Sequence, residues 1–129
     1  MNNFILSELS TNINLGIKRR LRFIYIKYNI LNLNIIKILY KNGAIRTYTI
    51  KNKKIAIYFK YFLKKKSLKL EIISTPGNRK FITNNNLSSY YNKNNFSGFL
   101  ILSTSKGIFT SNCLLLNHIS GEILLKVEI

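Results

Sequence analysis

The sequence predicts an α+β fold built as two small lobes, and three observations carry that expectation. Hydrophobic residues make up 47% of the 129-residue chain, enough to fill one average core or two small lobes that share one. Apolar residues of the first half change from strand-like alternation to helical spacing and back, whereas the second half is mostly short extended runs. The run Lys64, Lys65, Lys66, Ser67 is the longest polar break near mid-chain. It marks a seam between an N-terminal lobe at 1–66, with helix and strands, and a mainly β C-terminal lobe at 67–129.

Each element follows from its residues. Leu21 to Tyr28, "LRFIYIKY", is aromatic, β-branched and partly alternating, which predicts a strand. Asn29 then caps a helix in which Leu31, Ile35, Ile38 and Leu39 recur at helical spacing until "KNG" stops it at Gly43. Ala44 to Ile50 and Lys54 to Phe62 are strand-like and joined as a hairpin at "KNK". Beyond the seam, Leu68 to Ser74 is extended, and "TPGNR" predicts a type II turn in which Pro76 sets φ and Gly77 takes the positive φ. Phe81 and Ile82 resume an extended segment. The Asn-rich stretch 84–95 reads as loop with a short helix. Phe99 to Leu102 is a buried strand, Cys113 to Leu116 a short helical stretch capped by Thr110 or Ser111, and "GEILLKVEI" a closing strand.

Charge narrows the function. The formal net charge is +17, from 21 Lys and Arg against four acids, and a field of that sign draws phosphate polymers or anionic lipid. The acids are Glu8, Glu71, Glu122 and Glu128, and Asp is absent. Paired carboxylates for glycoside hydrolysis, an EF-hand loop and the Asp ligands of phosphoryl transfer are therefore all excluded. The lone Cys113 and lone His118 build neither an intrachain zinc site nor a disulfide framework. No metal or cofactor is expected.

No apolar run reaches the roughly 18 to 20 residues that cross a bilayer, because Lys27 interrupts the best candidate. Met1 to Ser10 holds Glu8 and no base, unlike a secretory or transit signal. The bias toward Asn, Ile, Lys, Tyr and Phe favours residues with A- and T-rich codons. That is the signature of an AT-rich genome, as in many organelles, where a protein made on site needs no transit peptide.

The segment Ser103 to Gly107, "STSKG", lies between two apolar runs. Ser103, Thr104 and Ser105 offer hydroxyls that both donate and accept, which suits the 2′-hydroxyls of a shallow A-form minor groove. Lys106 suits a phosphate, and Gly107 permits a sharp backbone turn. A solvated turn is the bland alternative. The S-x-x-K pattern from Ser103 to Lys106 also occurs in penicillin-recognising enzymes, but the S-D-N and K-T-G partners are missing. Lys18, Arg19, Arg20 and Arg22 beside Phe23 and Tyr25 suit backbone phosphates with stacking, or equally a solvated edge or a lipid surface. Lys64, Lys65 and Lys66 read as either a solvated loop or a phosphate contact.

The blocks "ISTPGNRKF", "GFLILSTSKGIFT" and "SGEILLKVEI", in that order, resemble the universal small-subunit ribosomal protein eight family. Its bacterial-type members carry S-x-P-G-x-R-x-Y, then a G-[IL]-x-[IL]-[LV]-S-T-S-K-G block, then G-G-E-[IV]-[LI]. Earlier, "IIKILYKNGAIRTYTI" and "KKIAIYFKY" look like the family's helix, strand and L-x-[IL]-x-L-K-Y strand. The chain departs from the pattern at "STNINLG", where the family has T-R-I-R-N, at Ser120, in place of the first glycine, and at Phe81, in place of Tyr.

The resemblance implies an α/β N-terminal lobe packed on a mainly β C-terminal lobe, with no cofactor and no catalysis. It implies a structural protein of the small ribosomal subunit, met by small-subunit rRNA and neighbouring ribosomal proteins, whose C-terminal lobe grips a stem of the central domain early in assembly. Ser103, Thr104, Ser105, Lys106 and Gly107 would enter the minor groove, with Glu122, Pro76, Gly77 and Arg79 in support. Lys18, Arg19, Arg20, Arg22, Lys64, Lys65 and Lys66 would add phosphate contacts. With the composition, it points to the mitochondrial ribosome, with the plastid as the alternative. A non-specific basic protein of RNA or membrane surfaces is the competing expectation.

Overall fold

The structure is a computed structural model and describes residues 3–61, 68–74, 77–83, 98–111 and 120–128. The expectations at Lys64 to Lys66, Pro76, 84–95 and Cys113 to Leu116, with His118, lie outside those residues. The chain divides into two compact units, Met1–Lys69 and Leu70–Glu128. Helices and antiparallel sheet occur together, so the fold is α+β.

The first unit runs α1 (Asn3–Lys18), β1 (Phe23–Lys27), α2 (Ile30–Lys41), β2 (Thr47–Lys51) and β3 (Lys54–Tyr58). Helix α1 was not among the elements read from the residues. Leu6, Leu9, Ile13 and Ile17 recur on one buried stripe, the spacing of an amphipathic helix. The helix ends in a Schellman motif, with Leu21 N–H donating to Gly16 O and Arg20 N–H to Ile17 O, and Arg20 in the left-handed region at φ 54°. A β carbon at Gly16 would stand 2.8 Å from the Phe59 ring and 2.9 Å from Ile24. Glycine there lets the helix approach the sheet closely.

Helix α2 follows its local signals. Asn29 is its cap, its side chain accepting from Asn32 N–H at 2.7 Å, which satisfies one of the unpaired first-turn donors. Gly43 at φ 76° closes the other end, with Ala44 N–H donating to Leu39 O. The buried face is Asn32, Ile35, Ile36 and Leu39, rotated from the expected Leu31 and Ile38. Asn32 is held inside because its Nδ2 donates to Lys27 O at 3.0 Å.

Strands pair in the order β1-β3-β2, all antiparallel. The β2–β3 hairpin turns on Asn52 and Lys53, with φ of 49° and 61°, as a two-residue type I′ loop requires. Opposed residues share a face. Ile26, Ile55 and Ile57 are thus buried on one side, and Phe23, Tyr25 and Lys27 lie on the other.

The second unit contains β4 (Lys69–Ile72), β5 (Phe81–Ile82), β6 (Gly98–Thr104), β7 (Gly107–Thr110) and β8 (Gly121–Glu128). Among the described residues these form one sheet of order β4-β8-β6-β7, with β5 also on β8. One core cluster is Ile82, Leu100, Leu102 and Ile123, with Ile73 and Phe109 packed against it, and Phe99, Ile101, Leu125 and Val127 on the other side of the sheet are buried as well. The β6–β8 register shifts between Ile101, opposite Leu125, and Leu102, opposite Ile123. Leu124 is the extra residue of this bulge, and its carbonyl accepts from Ile73 N–H at 3.2 Å. The bulge sets which β8 residues beyond it face the core and which face outward.

Candidate nucleic-acid interface

The segment expected as a five-residue loop is mostly strand. Ser103 and Thr104 end β6, Gly107 opens β7 opposite Thr104, and only Ser105 and Lys106 form the tip. Thr104 closes the turn: its Oγ1 donates to Gly107 O at 2.9 Å and accepts from Lys106 N–H at 3.2 Å. Gly107 takes φ 126°, which side-chain-bearing residues avoid. With the backbone satisfied internally, Ser105 and Lys106 project exposed, free to meet a partner.

A row of side chains crosses the sheet beside this tip. In register, Phe81 of β5 opposes Glu122 of β8, Glu122 opposes Ser103 of β6, and Ser103 opposes Ile108 of β7. The residues next to this row on each strand, Ile82, Ile123, Leu102 and Phe109, belong to the core cluster, so the first row faces away from that cluster, with Ser103 and Glu122 half-buried. Phe81 is 71% exposed. A large apolar ring so exposed can stack on a flat partner. Phe81, Thr83, Ser103, Ser105, Ser120 and Glu122 line an open concavity of about 370 Å³.

Glu122 is the acid in this concavity. Arg79 Nη1 lies 3.5 Å from its Oε2, while its Oε1 is buried without a hydrogen-bond partner among the described residues. Ser74 braces the approach to β5, its Oγ accepting from Lys80 N–H at 2.9 Å, and Lys80 O accepts from Ile123 N–H at 2.8 Å. These bonds place Arg79 over Glu122. Gly121 has a steric role, because a β carbon there would stand 2.8 Å from Ser103 O and 2.9 Å from Thr104 Cγ2. Ser120, beside it, is exposed, which explains how a side chain is accommodated at that position.

The structure thus brings together Ser103, Thr104, Ser105, Lys106, Gly107, Glu122 and Arg79, while Gly77 is exposed shortly before Arg79 and does not take the positive φ expected of a type II turn. Pro76 lies outside the described residues. Lys18, Arg19, Arg20 and Arg22 are exposed in the other unit, around the end of α1 and the start of β1. Phe81, Thr83 and Ser120 were missed by residue reasoning. Strand alternation in "KFIT" marks Phe81 as lying opposite Ile82, but only the register with β8 shows which face is free.

Comparison with known proteins agrees with this architecture. The family description "Ribosomal protein S8" matches residues 5–127. The chain is 38% identical over 126 residues to small ribosomal subunit protein uS8m of Acanthamoeba castellanii, covering 96% of this chain and 98% of that one. Small ribosomal subunit protein uS8 of Lawsonia intracellularis is 35% identical over 79% of this chain and 75% of its own length. The uS8 of Buchnera aphidicola is 33% identical over 82% of both. With its α+β fold and a match over nearly its whole length, the chain belongs to the ribosomal protein S8 family, a family of structural rather than catalytic proteins.

Proposed function

We propose that this protein is a structural constituent of the small subunit of a mitochondrial ribosome. In this reading its C-terminal lobe, 67–129, binds a stem of the central domain of small-subunit rRNA early in assembly and so prepares the RNA for neighbouring proteins. The observation that carries the reading is the row Phe81, Glu122, Ser103, with Phe81 exposed at its edge, set beside the Ser105–Lys106 tip. The mitochondrial uS8m among the relatives supports the compartment.

The chemistry of recognition follows from those side chains. Ser103 and Ser105 hydroxyls donate to and accept from 2′-hydroxyls across a shallow minor groove. Lys106 neutralises a phosphate at the tip, and Phe81 stacks on a base that an irregular stem leaves exposed. Glu122 accepts from a base amine or a 2′-hydroxyl, and Arg79 orients it. Gly77 with Pro76, and the bases Lys18, Arg19, Arg20, Arg22, Lys64, Lys65 and Lys66, add backbone contacts that carry affinity without sequence information.

Binding of the wild-type protein to a central-domain stem transcript at two salt concentrations, beside a Ser103→Ala, Ser105→Ala, Lys106→Ala variant, tests this. Loss of stem preference in the variant, with generic RNA binding retained, is the expected result. Equal binding of both proteins to every RNA would leave only non-specific attraction by the +17 charge.

A further inference from the structure

The face of the N-terminal sheet opposite its isoleucines carries a second arrangement, independent of the loop. Phe23 and Tyr25 are 39% and 59% exposed. The Phe23 ring packs edge-on against Tyr25 at 5.3 Å and lies 5.5 Å from the Tyr58 ring. Ala56, opposite Tyr25 on β3, is buried. Small Ala56 leaves a low floor between standing rings.

One row beyond, on the same face, Lys27, Lys54 and Lys51 stand directly opposite one another across all three strands. Neighbouring strands are about 4.8 Å apart, and like charges placed opposite one another destabilise a sheet. Among the described residues none of these lysines has an ion-pair partner. Residues 3–61 hold twelve Lys and Arg and one acid, Glu8, which is on α1. A bound polyanion would relieve that repulsion.

We propose that this face is a second RNA-binding surface, one that takes a single-stranded segment. Exposed rings beside a row of cations match a strand whose bases stack while its phosphates follow the positive charge. A duplex hides its base faces inside the stack, so the rings select unpaired RNA. The surface recognises stacking and charge and is tolerant of sequence.

The test is binding of the full chain to a fluorescent ten-nucleotide oligouridylate across a salt series, with thermal melting to verify folding. Tyr25→Leu weakens binding about fivefold or more without changing the salt slope, and Tyr25→Phe restores it. Lys27→Ala with Lys54→Ala lowers the log-log slope by about 1.4, at roughly 0.7 per phosphate on a single strand. Lys37→Ala with Lys41→Ala, exposed on α2, leaves it unchanged. The proposal is overturned if Tyr25→Leu binds like wild type or if both lysine pairs lower the slope alike, as for a face that serves a protein or attracts by charge alone. The Ser103, Ser105, Lys106 variant retains oligouridylate binding, so failure of the stem reading and failure of this one are separable.

Discussion

Ser103 and Glu122 stand opposite each other in the β6–β8 pairing, on the face turned away from the Leu102 and Ile123 core pair. The bulge at Leu124 puts Glu122 on the same face as Ser103, since a one-residue slip exchanges the faces of a strand. A hydroxyl and a carboxylate are thereby presented side by side, with Arg79 at the far carboxylate oxygen. Because Arg79 is 43% exposed, its pairing contributes little to folding. In a double-mutant cycle of Arg79→Ala and Glu122→Gln, chemical denaturation is expected to give a coupling of about 0–1 kcal/mol that shrinks with added salt.

Gly121→Ala forces apart the end of β6 and the start of β8, because the new carbon meets the Ser103 carbonyl, a backbone group that cannot step aside. A loss of about 1–3 kcal/mol is expected, with weaker stem binding. Ser120→Ala, one residue earlier and exposed, should melt like wild type. Equal melting of the two variants would refute the close-approach argument.

Thr104→Val keeps the β-branched shape and removes both hydrogen bonds that close the tip. Exposed bonds of this kind contribute about 0.5–1.5 kcal/mol each at most, so stability should fall only slightly. Stem affinity should fall severalfold as the tip loses its fixed geometry, a difference that titration calorimetry resolves.

Asn29→Ala leaves a first-turn amide of α2 without its acceptor. The expected cost is about 1 kcal/mol by urea denaturation, with Asn29→Ser close to wild type.

Tyr61 donates its hydroxyl proton to Leu21 O and lies 5.6 Å from the Arg20 guanidinium. Burial pushes the phenol above the usual tyrosine range, against the opposing pull of Arg20. The unfolded chain therefore releases this proton first, near pH 10. Stability from Tyr61 is intact below that pH and is lost as pH rises toward the folded-state value. Tyr61→Phe should flatten the alkaline part of the stability curve relative to wild type.

Local chemistry was legible where one segment decides its own conformation. Helix α2 runs from the cap Asn29 to the stop at Gly43 because both signals act within a turn of the residues they govern. The hairpin at Asn52 and Lys53 is of the same kind. Helix α1 was harder to read, since Ser7, Ser10, Thr11, Asn12 and Gly16 are weak helix formers. Burial of Leu6, Leu9 and Ile13, each fully inside, sustains that helix in place of propensity.

The candidate site divides in the same way. The sequence by itself determined the residue types at the tip, the missing Asp that removes most catalysis, the charge that favours a polyanion, and the motif order that marks the family. Tertiary structure alone decided that Ser103 and Thr104 belong to a strand, that Phe81 stands outward beside Glu122, and that three lysines from separate strands form one row. Those facts depend on strand register, which long-range pairing and a single bulge set, and no local run of residues encodes which distant partner lies opposite.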